Sequence, residues 1–499
     1  LFWHVFSISI TSIGTGLVAF GPVLFIIGLL MSLLAIAMGL PAIADLATDN
    51  ADWQVFAGSA AVALFVGVSL MLATKTSSRS NLNLRQAFLL TTLSWVAVAA
   101  VGALPFMFSE LKLSITDAFF ESMSGITTTG STVILGLDHA PPGILLWRAL
   151  LQWLGGVGII VMAMAMLPML SVGGMQLFRT EAFDAPDKVL PRAAQLAGGI
   201  FAIYLIMTGL CALGLWIAGF NGFDAITHSM TTIATGGYST KDGSIGYFNN
   251  PAADWIIIAG MIIGSLPFVY YLRVVRGDLS PIINDSQVKW FLVIVLVSVF
   301  VITLWIWDVA GLEGMDNFRH ATFNVISILT GTGYVTQDFG LWGGFPVTFL
   351  LCLMFVGGCA GSTTCGIKIF RFQILAATAQ AQLSRLLVPH GVFIPYYNRK
   401  VIPETVSNAV MGFFFLYIVC FAALAAGLSA LGLDFITAIS GAATAISNVG
   451  PGLGATIGPT GNFSSLPDLA KWMLAFGMLL GRLELFTVLV MFSPAFWSR

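Results

Sequence analysis

The chain has 499 residues, of which 58% are hydrophobic and 9% are charged, with a mean hydropathy of +0.93 and a net charge of −2. Soluble domains carry about 25% charged residues. This composition therefore excludes a soluble globular protein and is typical of an all-α polytopic membrane protein. The sequence shows no nucleophile–base pattern, no metal-ligand spacing and no nucleotide-binding loop, so neither an enzyme nor a resident cofactor is predicted in this chain.

Ten apolar stretches are predicted to lie in the membrane, as two leading helices followed by four pairs. Each pair encloses a shorter apolar stretch below the roughly 20 residues that a membrane-spanning helix needs. We interpret the short stretches as re-entrant pore helices. The predicted architecture is a leading helix pair at 1–80 and four helix–pore helix–filter–helix repeats at 81–180, 181–280, 281–390 and 391–499. The ten stretches lie near 6–40, 53–74, 84–108, 143–177, 190–219, 252–273, 287–310, 344–375, 404–432 and 468–495.

A turn rich in threonine and glycine follows each short stretch. Irregular backbone at membrane depth survives only where protein or a water-filled cavity surrounds it. Four such turns predict a ring of carbonyl oxygens around one axis, which is how an ion selectivity filter is built. The alternative, small residues used for close helix packing, explains one such turn but not four in register. The predicted ion-binding residues are Thr127, Thr128, Thr129, Gly130, Thr235, Gly236, Gly237, Gly331, Thr332, Gly333, Asn448, Val449 and Gly450.

The first two repeats align without gaps ahead of their turns. Asp117 to Met123 matches Asp224 to Met230, and each segment reaches its filter glycine after seven more residues. We expect Asp117 and Asp224 to cap the starts of two pore helices. The negative ends of those helix dipoles would then point toward the pore centre, which favours a cation.

The distribution of charge predicts the topology. If the N-terminus is cytoplasmic, the inner side receives far more Lys and Arg than the outer side, in agreement with the positive-inside rule. The outer side then receives the four filter turns and most acids, among them Asp45, Asp52 and Asp242, which could form an acidic vestibule or be structural. The outer basic residues are Lys112, Arg148, Lys241, Arg319 and Lys471. The inner ones are Lys75, Arg79, Arg85, Arg179, Lys188, Arg192, Arg273, Arg276, Lys289, Lys368, Arg371, Arg385, Arg399, Lys400 and Arg499.

Two features beneath the turns are candidate gate elements. The segment 357–368 is a polar, glycine-rich interruption of an apolar stretch, and it is predicted either to break the helix as a gating loop or to form a small-residue kink. Arg482 lies between apolar residues, where a charge is costly and indicates function. It could act as an electrostatic barrier in the pore or form a buried ion pair with Glu484. The predicted gate residues are Gly357, Gly358, Gly361, Ser362, Thr363, Gly366 and Arg482.

These motifs together resemble the Trk-type potassium uptake family, in its membrane subunit of the TrkH/TrkG kind. The resemblance includes the four turns, the Gly-Gly-Cys-Ala-Gly-Ser-Thr segment at 357–363, the segment 154–160 and the Gly481 to Thr487 segment, and it extends over essentially the whole chain. It implies four potassium-channel-like repeats in one chain and a homodimer. It also implies a cytosolic TrkA-type regulatory ring that binds NAD or ATP/ADP, so that the nucleotide sites belong to the partner.

The resemblance assigns roles to individual residues. The family's filter glycines fall on Gly130, Gly237, Gly333 and Gly450, and glycine at all four positions is similar to the potassium-preferring pattern; serine at the first goes with sodium in plant relatives. The family's gating loop falls on 357–366, and its pore-blocking arginine on Arg482. Thr364 and Cys365 replace glycines of the usual loop and should stiffen it.

The sequence thus predicts a bacterial inner-membrane protein, with a cytoplasmic N-terminus, that takes up potassium through a gated four-repeat filter. The alternative is a potassium–sodium or potassium–proton symporter that works by alternating access. Such transporters often use inverted repeats, whereas these repeats share one orientation, which favours a channel-like pore. Potassium, the lipid bilayer, a second copy of the chain and the regulatory ring are the expected partners, and no nucleic acid is expected.

Overall fold

The computed structural model describes residues 20–75, 82–165, 173–174, 189–309 and 314–498, and these form helices joined by short connections. The one sheet among them is an antiparallel hairpin of Tyr396–Tyr397 and Lys400–Val401. The prediction of an all-α fold is confirmed. The start of the first apolar stretch and the predicted domain boundaries at 80–81 and 180–181 lie outside the described residues.

Within the described part of the chain, seven helices are long and apolar enough to cross a membrane, and up to nine if two bent pairs each count as one span. The first pair is Pro251–Gly264 with Phe268–Val274, bent by 98°, where Pro267 prevents the helix from continuing. The second is Asp468–Arg482 with Phe486–Phe492, bent by 109°. The seven unbent spans consist of Gly21–Ala37 continued by Gly39–Ala47, Trp53–Thr74, Leu84–Gly102 continued by Leu104–Phe108, Pro142–Ala165, Val189–Ile217, Ser286–Val309 and Glu404–Ala430.

Helix Ser286–Val309 shows why these segments belong in a bilayer. It is apolar on every side, and its outward face exposes Leu296, Phe300 and Trp307 while Phe291 and Ile302 are fully buried. A helix that is hydrophobic all round is stable only in a protein core or in a membrane. The protein is therefore a multi-pass membrane protein.

Four shorter helices, which we name pore helices one to four, are surrounded by the long ones. Their lengths of 12 to 15 residues are too short to span a bilayer. Each precedes one predicted filter turn, so the two leading helices followed by four repeats are observed. The pore helices are Ile115–Ile126, Gly222–Ile233, Met315–Leu329 and Phe435–Ser447.

The caps of the first two pore helices differ from the prediction. The capping side chains are Ser114 and Asn221, which accept hydrogen bonds from the backbone amides of Asp117 at 3.1 Å and Asp224 at 2.7 Å. The two aspartates therefore lie in the first turn rather than at the cap. A short side chain one position before the helix reaches those amides better, while a carboxylate in the first turn still complements the helix dipole.

The second helix of the third repeat is broken, which is why the predicted stretch 344–375 is not one span. The first part is helix Gly344–Leu353 and the second part is helix Ile369–Leu387. Residues 354–368 connect them and do not form a regular helix. A short parallel bridge between Val356 and Ile367 closes this segment into a loop. The remaining short helical elements are Leu137–His139, Ser244–Phe248, Ser280–Asn284, Phe339–Trp342, Gly454–Ile457, Val490–Phe492 and Pro494–Trp497, and Phe486–Leu489 begins the last bent pair.

Candidate ion pathway

All four pore helices end in the same hydrogen-bonded turn. In each turn, the amide of the residue before the filter glycine donates to the carbonyl five residues earlier, and the preceding amide donates to the carbonyl three residues earlier. This pair of bonds is a Schellman motif, which satisfies the last carbonyls of a helix. The longer bonds join Thr129 to Ser124, Gly236 to Thr231, Thr332 to Ser327 at 2.9 Å each, and Val449 to Thr444 at 3.0 Å.

The backbone of the turns also repeats. In each repeat, the residue two positions before the filter glycine is left-handed, and so is the glycine itself, whereas the residue between them is not. Threonine is rarely left-handed because its branched Cβ crowds the backbone, so the fold imposes this shape. The φ angles are 54°, 49°, 69° and 53° at Thr128, Thr235, Gly331 and Asn448, and 91°, 78°, 81° and 109° at Gly130, Gly237, Gly333 and Gly450.

The four turns close into a ring in chain order. Each filter glycine lies against a carbonyl oxygen of the next repeat, and that oxygen always belongs to the residue before the next filter glycine. A Cβ added to Gly237 would lie 1.8 Å from the Thr332 oxygen. The other three distances are 2.3 Å from Gly130 to the Gly236 oxygen, 2.1 Å from Gly333 to the Val449 oxygen and 2.8 Å from Gly450 to the Thr129 oxygen. Two features therefore require glycine at each of these positions: the backbone has a positive φ angle, and there is no room for a Cβ atom.

The structure brings every predicted filter residue to this ring. Hydroxyl pairs stiffen two of the turns, with 2.8 Å between the Oγ1 atoms of Thr127 and Thr129 and 2.8 Å between those of Thr330 and Thr332. The fourth turn differs in its side chains but not in its backbone, because Asn448 is left-handed like its counterparts. Its Nδ2 donates to Thr129 Oγ1 at 2.9 Å and so joins the last repeat to the first.

Three glycines of the long helices support the pore helices from behind. A Cβ on Gly155 would lie 1.9 Å from the Ile126 oxygen, one on Gly481 would lie 2.0 Å from the Ile446 oxygen, and one on Gly264 would lie 2.9 Å from the Ile233 oxygen. Each contacted carbonyl lies four residues before a filter glycine. Gly155 in the glycine-rich segment 154–160, Gly264 and Gly481 thus allow backbone to pack on backbone at the ends of three pore helices.

The loop 354–368 lies beneath the ring and contacts it. Thr363 Oγ1 donates to the carbonyls of Ile233 at 3.1 Å and Gly264 at 2.9 Å, and it accepts from Thr235 Oγ1 at 3.1 Å. Cys365 Sγ lies 3.8 Å from Thr128 Oγ1. Of the predicted gate residues, Gly357 pairs across the loop through its amide to the Ile367 oxygen at 2.9 Å, and Gly358, Gly361, Ser362 and Gly366 complete the loop.

Arg482 enters the same space from the last repeat. Its Nη1 donates to the Thr363 carbonyl at 3.1 Å and to Cys365 Sγ at 2.5 Å, and its Nη2 donates to the Gly155 carbonyl at 3.1 Å. Among the described residues, its Nε has no hydrogen-bond partner, although Arg482 is only 2% exposed. The guanidinium group thus bridges the loop of repeat three to repeat one, directly below the ring.

Glu484 does not pair with Arg482, so the ion-pair alternative for Arg482 is not observed. Its carboxylate instead forms a buried salt bridge with Arg371, which also donates from Nε to the Gly173 carbonyl at 2.9 Å. Lys368 donates to the Thr364 carbonyl. Lys368 and Arg371 were expected at the inner surface, but the broken helix carries them into the protein beside the loop.

Several of the acids predicted on the outer side bind backbone amides and are structural rather than free to face a vestibule. Asp45 accepts from the Gly143 amide at 2.5 Å, Asp242 accepts from the Leu137 amide at 3.0 Å, and Asp52 accepts from the Glu110 amide at 3.1 Å. Asp45 and Asp52 are buried. Among the described residues, no cluster of three or more His, Cys, Asp or Glu side chains is arranged to hold a metal ion.

Sequence reasoning missed three buried polar residues behind the ring. Glu121 and Arg148 form a salt bridge with 2.8 Å between Oε1 and Nε. Gln152 donates from Nε2 to the Gly236 carbonyl at 2.5 Å and accepts from the Tyr238 amide at 3.0 Å. The only available signal was their occurrence in apolar stretches, since burial of a charge requires a partner; the sequence did not reveal which partner.

Comparison with known proteins agrees with this architecture. Residues 52–499 match the model of the family described as TrkH, a cation transport protein. The chain is 43% identical over 481 residues to the Trk system potassium uptake protein TrkI of Halomonas elongata, covering 96% of this chain and 97% of that protein. It is 40% identical to the Trk system potassium uptake protein TrkH of Escherichia coli K12, covering 95% and 98%. The crystal structure of the potassium transporter TrkH from Vibrio parahaemolyticus superposes with a TM-score of 0.88 at 36% identity, covering 96% of this chain and all of that one.

The close approach of Gly237 to repeat three predicts a strong effect of one methyl group. Gly237→Ala should lower the apparent melting temperature in detergent, because overpacking together with left-handed strain costs about 2 kcal/mol or more. Gly209→Ala is the control, since nothing lies within 4 Å of its added Cβ. Equal melting temperatures for the two variants would contradict the ring geometry.

Proposed function

The chain belongs to the TrkH family of cation transport proteins, and on that premise we propose that it takes up potassium ions across a bacterial inner membrane through the ring of four filter turns. The observation that carries the proposal is the closed glycine-to-carbonyl ring, with its repeated left-handed backbone. Backbone carbonyls arranged around an axis can replace the water shell of a potassium ion. The family consists of transport proteins rather than enzymes.

The pore helices supply the second part of the proposal. All four run into the ring with their C-terminal ends, where the helix dipole is negative. A cation at the ring centre is stabilised by these four ends without any formal charge in the filter turns. The absence of carboxylates from the four turns favours a monovalent ion, because divalent cations in proteins are usually bound by carboxylate oxygens.

The gate of the proposed pathway consists of the loop 354–368 and Arg482. Arg482 bonds two loop residues and Gly155 at once, so it fastens the loop beneath the ring while placing a positive charge there. That arrangement opposes cation passage by charge as well as by size. Opening requires the loop to release Thr363 from the carbonyls of Ile233 and Gly264.

Regulation and assembly follow the family pattern in this proposal. The chain forms a homodimer with a cytoplasmic N-terminus, and a TrkA-type ring that binds NAD or ATP/ADP docks on its inner face. The support is the excess of basic residues on that side. Among the described residues, seven of them are exposed, at Lys75, Arg273, Arg276, Lys289, Arg385, Arg399 and Lys400.

The primary test is ⁸⁶Rb⁺ uptake into proteoliposomes that contain this chain, loaded with potassium. Uptake driven by the potassium gradient alone, and competed by external K⁺ but not by Na⁺, is expected for a selective pore. Uptake that requires a sodium or proton gradient would replace the proposal with a coupled symporter. If uptake is absent, adding the nucleotide-binding ring tests whether the gate is closed, and continued absence would contradict the proposal.

Gly130→Ser is expected to reduce the preference for K⁺ over Na⁺ by about fivefold, equal to roughly 1 kcal/mol. The reason is that its Cβ would lie 2.3 Å from the Gly236 carbonyl and push apart repeats one and two. Gly136→Ser is the matched control, because Gly136 is also left-handed, at 73°, but has nothing within 4 Å of an added Cβ. Competition of K⁺ and Na⁺ against ⁸⁶Rb⁺ uptake measures both, and unchanged selectivity in Gly130→Ser would remove it from the filter.

Arg482→Ala is expected to raise potassium flux, since it removes both the charge and the three hydrogen bonds that hold the loop. Arg482→Lys retains the charge and should keep flux close to that of the unaltered protein. Initial rates of ⁸⁶Rb⁺ uptake at equal protein content give the comparison. A flux in Arg482→Ala no higher than in Arg482→Lys would show that Arg482 is not the barrier.

A further inference from the structure

Each pore helix carries a polar side chain, nine or ten residues before the filter glycine, that binds the segment following the filter turn. Glu121, His228 and Asn324 lie nine residues before their filter glycines, and Ser440 lies ten before the last one. His228 Nε2 lies 3.0 Å from Ser239 Oγ, Asn324 Nδ2 donates to Thr336 Oγ1 at 3.0 Å, and Ser440 Oγ accepts from the Leu453 amide at 2.9 Å. Glu121 Oε2 accepts from the Val133 amide at 2.9 Å. Three different residue types therefore occupy the same position, and Ser440, one residue earlier in its helix, binds the corresponding segment in the last repeat.

Only in the first repeat is this side chain charged. Glu121 also accepts from Thr132 Oγ1 at 3.0 Å and pairs with Arg148, and the two side chains are 0% and 2% exposed. Thr132 and Val133 lie two and three residues after Gly130 in the chain. The carboxylate thus fixes the outer end of the first filter turn.

Arg148 extends the contact to the second repeat. Its Nη1 donates to the Ser239 carbonyl at 2.7 Å, and its guanidinium group lies 4.0 Å from the ring centre of Tyr238. Tyr238 in turn donates from its hydroxyl to the Glu121 carbonyl at 2.9 Å. Tyr238 and Ser239 follow Gly237, so one ion pair holds the outer ends of two adjacent filter turns.

A second side chain of the helix that carries Arg148 also contacts the second filter turn. Gln152 lies four residues after Arg148, on the same face of helix Pro142–Ala165, and bonds Gly236 and Tyr238. The helix therefore presents two side chains to the second turn at successive levels. The salt bridge between Glu121 and Arg148 is buried, so water and salt screen it much less than they screen a surface pair.

We infer that Glu121 and Arg148 form a positioning pair that sets the spacing between filter turns one and two and thereby the discrimination between K⁺ and Na⁺. The inference rests on the proposed function. Neither residue binds the ion, since the carboxylate is occupied by Val133, Thr132 and Arg148. Their effect reaches the ion through the position of the filter carbonyls, on which selectivity depends.

The test compares Glu121→Gln, Arg148→Met and the double variant in ⁸⁶Rb⁺ uptake with K⁺ or Na⁺ as competitor. Each single variant should reduce the K⁺/Na⁺ ratio by about fivefold or more. The double variant should be no worse than the worse single one, since two residues that act as a unit are not additive. The control is Asp254→Asn, which removes another buried ion pair. In that pair, Asp254 Oδ2 lies 3.4 Å from Nε of Arg319, which is in the first part of pore helix three. It should retain the unaltered ratio.

Arg148→Lys keeps the experiment decisive if the neutral variants do not fold. Lysine preserves the charge but not the forked geometry that reaches Glu121 and Ser239 together, so the ratio should fall without loss of the folded protein. Melting temperatures in detergent establish folding for every variant. The inference would be overturned if Glu121→Gln and Arg148→Lys fold and keep the K⁺/Na⁺ ratio of the unaltered protein. It would also be overturned if Asp254→Asn lowers that ratio as much as they do.

A second readout separates this inference from the proposed function. A bound ion stabilises the folded protein, so K⁺ should raise the melting temperature of the unaltered protein more than Na⁺ does, and Glu121→Gln should reduce that difference. The unaltered protein could transport no Rb⁺ and still be stabilised more by K⁺ than by Na⁺. In that case the proposed uptake function fails, but the difference in melting temperature still tests the inference. If Glu121→Gln leaves the difference unchanged, the inference is wrong whatever the flux.

Discussion

The contact on which the rest of the structure depends is the approach of each filter glycine to a carbonyl oxygen of the next repeat. This approach places irregular backbone at membrane depth, where unpaired amide and carbonyl groups are costly. The fold meets that cost by surrounding the ring with protein. The Schellman turns pair the last carbonyls of the pore helices, and glycines of the long helices pack directly against those ends.

The ring also contains strained backbone that must be held in place. Thr128 and Thr235 are left-handed, and such a residue costs of order 1 kcal/mol or more. Each is held by contacts from a distant part of the chain: Thr235 bonds Thr363 of the loop, and Thr128 contacts Cys365. The loop 354–368 therefore supports the turns above it. Any movement of the loop changes the surroundings of two filter residues.

The sequence allowed the ring to be predicted because glycine is irreplaceable at its four positions, and their spacing along the chain is regular. The membrane spans were predictable for a similar reason, since long apolar helices have few other uses. Pairings between distant residues were not predictable. Arg371 proved to be the partner of Glu484, and Ser114 and Asn221 replaced the expected aspartate caps. The position of Arg148 in an apolar stretch indicates burial, but its partner Glu121 is not evident until the fold brings the two side chains together.

The four turns share one backbone but not one sequence, and the single chain explains how this is possible. In an assembly of four identical subunits, any residue below the ring would appear four times. Four arginines beneath one ring would place four buried positive charges together, at a desolvation cost that no available partner could offset. Here repeat four supplies Arg482, repeat three supplies the loop and repeat one supplies the Gly155 carbonyl. Fusion of the repeats thus allows the ring to keep one repeated backbone geometry, while the contacts below it are asymmetric and include only one copy of Arg482.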